Sequence, residues 1–124
     1  MLEIKAEFGV RLTEAYRNRD YAKLREMADR IIPELKERVV ALRAFHRDRW
    51  MELNKAFGWE VIDFRYGGLL MNLDTAAKRM GDYLEGRIDR IEELEERRLP
   101  YNGRVGGPEA YFYRFIPSAS RLTQ

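Results

Sequence analysis

A chain of 124 residues, 45% hydrophobic and 35% charged with only four prolines, has the composition of one mostly helical domain, and that balance excludes intrinsic disorder. Its 23 basic and 21 acidic residues leave a net charge of +2 that is spread along the chain, which speaks against a nucleic-acid partner because phosphate binding needs a clustered positive face. With no cysteine there can be no disulfide framework, thiolate zinc site or Cys nucleophile, and no apolar run approaches the roughly 20 residues of a membrane span.

Met1 through Val10 carries Glu3, Lys5 and Glu7 and lacks the apolar region of a secretory signal, so a cytoplasmic location is expected. Ile4, Phe8, Leu12 and Ala15/Tyr16 fall at the spacing of an amphipathic helix that should end near "RNRD". Asp20 is placed to cap the next helix, whose apolar face is Leu24, Met27, Ala28 and Ile31. Pro33 lacks an N–H and disfavours helical dihedrals at Ile32, so the chain either kinks there or starts a new helix with Pro33 in its first turn. Leu35, Val39, Leu42, His46, Trp50, Leu53 and Phe57 then follow at spacings of three and four, predicting a long helix that ends with Gly58 at its C′ position.

Beyond Gly58 the stripe resumes at Ile62, Tyr66, Leu69/Leu70, Leu73, Ala77, Met80, Leu84, Ile88, Ile91 and Leu94. This predicts a second long helix running to "RRLP", with Glu93–Arg97 and Glu95–Arg98 pairs on its solvated face. The remainder changes character: Asn102-Gly103 and Gly106-Gly107-Pro108 are turn signals, and Tyr111, Phe112, Tyr113, Phe115 and Ile116 need cover from water. The expected fold is all-α, an antiparallel bundle of three to four helices with two long helices and an irregular aromatic-rich C-terminal tail. Residues 1–103 form the bundle domain, and 104–124 form an extended tail packing on the bundle or on an absent domain.

Catalytic chemistry finds little to work with. His46 is the sole histidine and lies on the apolar stripe between Leu42 and Trp50, without a nucleophile motif, so it reads as a buried or half-buried residue hydrogen-bonded to a carboxylate or carbonyl. No Glu stands three residues before it, as di-metal bundles require, and Gly67-Gly68 is not followed by the Lys-Ser/Thr pair of a P-loop. No catalytic residue, metal site or cofactor is therefore expected.

The stretch "FGWEVIDFRYGGLL" stands apart. On a helix from Trp59, Asp63 faces Trp59 and Gly67, while Ile62, Tyr66 and Leu69/Leu70 point to the core and Phe64 and Arg65 lie off the stripe. Two adjacent glycines inside a helix cost on the order of 2 kcal/mol relative to alanines. Close packing of another helix, contact with another domain, or a small molecule could offset that cost.

The chain from about Tyr16 to Gly103 resembles the helical domain of one subgroup of glycoside hydrolase family 20, the β-N-acetylhexosaminidases. The resemblance rests on "IIPELKERVVALRAFHRDRW", "FGWEVIDFRYGGLL" and "LEGRIDRIEELEERRLPYNG" in that order. It implies a parent enzyme that removes terminal N-acetylhexosamine residues by substrate-assisted catalysis, with an Asp-Glu pair on a (β/α)8 barrel. This chain contains no Asp-Glu dipeptide, and a barrel of roughly 250 residues does not fit within it.

What the resemblance implies here is a non-catalytic domain that packs on the catalytic barrel and supports it, with its sugar-pocket rim or a homodimer as further contacts. Trp59, Asp63, Arg65, Tyr66, Gly67 and Gly68 match the family stretch that would make such contacts, and His46 and Trp50 join them if the two long helices pack antiparallel. The alternative is an independent helical protein–protein interaction module, and direct glycan binding by the aromatic cluster is a third reading.

Overall fold

Sequence-local signals fix the first corner. Helix α1, Leu2–Arg17, ends as the Asp20 N–H donates to Ala15 O and the Arg19 N–H to Tyr16 O, the two bonds of a Schellman cap. The left-handed residue such a cap needs is Arg19, at φ 53°, where glycine is usual. Asp20 then caps α2, Tyr21–Glu26, as predicted, its carboxylate accepting from the Lys23 N–H at 2.9 Å. The computed structural model that shows this describes residues 2–96, with side chains from residue 7 onward. The expected tail 104–124 and the partners Arg97 and Arg98 lie outside the described residues.

Pro33 stands in the first turn of a helix, as one of the two expected readings had it, but that helix follows its predecessor without a break. A π turn, Met27–Ile31, joins α2 directly to α3, Ile32–Leu53, and the Ile32 N–H reaches back five residues to Met27 O. A proline ring clashes with the carbonyl four residues before it, here that of Asp29, and the widened turn lets the helical run continue past that clash. Met27, Ala28, Ile31 and Ile32 are all buried in this turn.

The next two boundaries differ from the sequence expectation. Helix α3 ends at Leu53, not at Gly58, because Asn54 turns extended (φ −131°, ψ 168°) and the Trp50 indole N–H donates to Lys55 O at 2.9 Å, drawing the chain back across the helix end. Gly58, at φ 97°, instead leads into α4, Trp59–Leu84. At its far end α4 stops at Leu84 and does not run to "RRLP": Gly86 is left-handed at φ 71°, and the Arg87 N–H donates to Asp82 O. A short α5, Glu92–Glu95, follows.

Ile88, Ile91 and Leu94 still reach the core although their helix is broken. Tyr16 holds this segment, donating its hydroxyl to Glu95 Oε1 at 2.6 Å and accepting from the Ile91 N–H at 3.1 Å. Glu93 pairs with Arg79 of α4 across this corner.

The fold is the expected all-α bundle, with no strand among the described residues. Phe8, Leu12, Leu24, Met27, Leu35, Val39, Leu73 and Met80 lie in one continuous core. That core is not shared equally along the rods. At 1.5 Å per residue the 16 residues of α1 span roughly 24 Å, enough to run back along the second rod from Tyr21 to about residue 37. The last buried residue of α3 is Val39, and between residues 40 and 68 only Trp59 is buried. Among the described residues, then, α3 and α4 continue beyond Val39 as a two-helix arm with no third helix assigned to it.

Candidate functional site: the two-helix arm

The arm carries the stretch from Phe57 to Leu70, and its inner seam is held by three kinds of contact. Arg43 donates in bidentate fashion to Asp63, Nε to Oδ1 at 2.8 Å and Nη2 to Oδ2 at 3.0 Å. That guanidinium holds the Asp63 carboxyl below its usual range. Next along the seam, His46 Nδ1 meets the Tyr66 hydroxyl at 3.1 Å, so the histidine's partner is a phenol, where a carboxylate or carbonyl was expected. Burial pushes the Tyr66 hydroxyl above its ordinary value.

The rings of Trp50 and Trp59 complete the cluster. Their centroids lie 6.1 Å apart, and His46 stands edge-on to Trp59 at 5.3 Å and to Trp50 at 6.5 Å. Trp59 is buried yet separate from the main core. Its indole N–H has no partner within hydrogen-bond geometry, although it lies near enough to Asp63 to help hold that carboxyl down. At the corner, Gly58 accepts no side chain easily, since its φ of 97° is left-handed, and the Glu60 carboxylate accepts the Gly58 N–H at 2.8 Å.

The structure thus brings His46, Trp50, Trp59, Tyr66 and Asp63 together along one seam. It leaves Arg65 and Gly67 on the surface and Gly68 half-buried. A Cβ built on Gly67 would meet nothing within 4 Å, so no close approach inside the described residues requires a glycine there.

Two features escaped the sequence reading. The Arg43–Asp63 pair was one, although an antiparallel hairpin turning at residues 54–58 already sets residue 43 near 63 and residue 46 near 66. The other is a second apolar stripe on α4. Val61, Phe64, Gly68 and Met71 recur at spacings of three, four and three, on the side of the helix roughly opposite Ile62, Tyr66, Leu69 and Leu73. Val61 is 47%, Phe64 81% and Met71 61% exposed. At the arm's tip Leu53 and Phe57 are exposed as well.

Elsewhere, an open cleft of about 410 Å³ lies between Tyr16, Arg19, Tyr83 and Glu95 at the opposite end of the bundle. Tyr16 and Glu95 are already engaged with each other there. Among the described residues no three His, Cys, Asp or Glu side chains converge as metal ligands, and no helix is long and apolar enough to cross a membrane.

The described residues define a small all-α bundle domain, with ion pairs and aromatic edges along its arm and a second long helix that is apolar on two faces. Residues 1–111 match the family model described as the Glycoside Hydrolase 20C C-terminal domain, and the chain belongs to that family. Membership sets it in the context of a hydrolase that also has a catalytic domain. A search of curated proteins found no match.

Proposed function

We propose that this domain is a non-catalytic support for a family 20 β-N-acetylhexosaminidase, packing through its α3–α4 arm against the catalytic (β/α)8 barrel. The observation that carries the reading is the arm itself. Among the described residues two helices extend past the buried core, with an inner seam paired at Arg43–Asp63 and His46–Tyr66 and apolar side chains left outside it. A monomeric domain has little reason to build a rigid, ion-paired projection and leave Phe57, Phe64 and Met71 in water unless another surface covers them.

The inner seam gives the arm its stiffness, and the exposed Arg65 is the side chain placed to reach the rim of a neighbouring sugar pocket. No group in the arm is set up to act on a glycosidic bond. His46 is tied to Tyr66 and Asp63 to Arg43, so the chemistry belongs to the barrel. The test is to compare a family 20 barrel with and without this domain behind it. Loss of the domain should lower the barrel's unfolding temperature and its hydrolysis of a nitrophenyl N-acetylglucosaminide, while the domain alone hydrolyses nothing. Enzyme-like turnover by the isolated chain, or a barrel indifferent to the domain's removal, would overturn the reading.

A further inference from the structure

Resting on that supporting role, we infer that the contact with the catalytic domain is made by the back of α4, where Val61, Phe64 and Met71 flank Gly67-Gly68 and receive an α-helix of the barrel's outer ring at close approach. Residues at 61, 64, 68 and 71 lie on one side of α4 over roughly 15 Å of helix. That length is a two- to three-turn footprint, matched to another helix and too narrow for a sheet. The glycine pair sits at its centre, and among the described residues nothing lies within 4 Å of a Cβ built on Gly67. A missing side chain flanked by Phe64 and Met71 is the shape that lets a second backbone come near while large side chains close over its edges.

A second copy of this chain fits the stripe less well. Even with Phe64 contributing on the order of 150 Å², the three apolar side chains fall well short of the roughly 800 Å² per partner of a stable free-standing interface. A domain joined covalently needs far less, because the tether supplies an effective concentration in the millimolar range.

The absence of cysteine makes the test direct. Single thiols are placed by Phe64→Cys and Met71→Cys on the stripe and by Val10→Cys on the exposed side of α1, and their maleimide labelling rates are read by peptide mass. Measurements are made in the chain alone and in the chain joined behind a family 20 catalytic domain. Labelling at 64 and 71 should slow at least tenfold in the joined protein only, while position 10 reacts equally in both. Circular dichroism confirms that each variant keeps its helicity.

Fast labelling at 64 and 71 in the joined protein overturns the inference, and leaves the supporting role standing if the barrel's stability still depends on the domain. Protection that appears in the isolated chain and grows with its concentration overturns it in favour of a second copy.

Discussion

Replacing Gly67 with alanine should stabilise the isolated chain. Gly67 has an ordinary helical conformation well inside α4, and an added Cβ meets nothing within 4 Å, so the methyl group brings no clash. What remains is the backbone term: glycine in a helix interior is about 1 kcal/mol worse than alanine, largely because it frees the unfolded chain. In a chain of 124 residues that gain corresponds to a rise in Tm of roughly 4 °C. Thermal unfolding followed by circular dichroism reads it directly. An unchanged or lowered Tm would refute the argument, since it would mean that the back of α4 is occupied in the free chain. In a protein where the barrel covers that face, the same substitution should lose its benefit or turn destabilising, because the Cβ then meets the partner's backbone.

Three further outcomes follow from the same structure. Gly58→Ala should have the opposite sign, lowering stability by about 1–2 kcal/mol, because alanine must hold the left-handed φ of 97°; a gain in Tm would show that the corner relaxes. Tyr16→Phe leaves the buried Ile91 N–H without its acceptor, at a cost of about 1–3 kcal/mol, seen as a lower Tm and faster exchange of the Ile91 amide. Retained protection of that amide would show that another acceptor takes over. The denaturation midpoint should fall on acidification. Glu26 is held down to about 2 by Lys23 and Arg30, and Asp63, Asp82 and Glu93 are lowered by Arg43, Lys78 and Arg79 respectively, so their contribution is present above the usual carboxylate range and lost as pH drops through the depressed values. Added salt should blunt this dependence because the pairs are substantially exposed; a flat midpoint between pH 5 and pH 2 at low salt would contradict it.

Where the fold was legible, a local pattern was enough. Asp20 as a cap, the end of α1 near "RNRD", and the buried face Leu24, Met27, Ala28 and Ile31 all depend on residues within one or two turns. The misplaced boundaries came from side-chain bonds that helical spacing does not encode, one of them local and one across the chain. Gly58 suits a helix end by its nature, but whether it closes α3 or opens α4 is decided by Trp50 reaching Lys55 O. The apolar stripe past Leu84 kept its spacing through Gly86 because Tyr16, 75 residues before Ile91, holds the broken segment against the core. Spacing records which residues face inward and is silent about whether the backbone between them remains helical.

The site divided in the same way. His46, Trp50, Trp59 and Tyr66 could be grouped once an antiparallel pair was assumed. Attention to the strongest stripe hid the weaker one on the back of α4, where Phe64 was set aside because it lay off the core-facing line. The very departure from the core pattern was the signal.

The unequal layering of the bundle also governs how the domain comes apart. Amides near Leu24, Val39 and Leu73 can exchange with solvent only when three helices separate together, whereas those of the arm need only the Arg43–Asp63 and His46–Tyr66 seam to part. The arm is thus expected to open as a unit of its own, at a lower free energy, and among the described residues the exposed corner at 54–57 is where a protease should gain access to it. A partner seated on it would close that weak point without touching the core, so the same surface that joins two domains would also set the protein's lifetime.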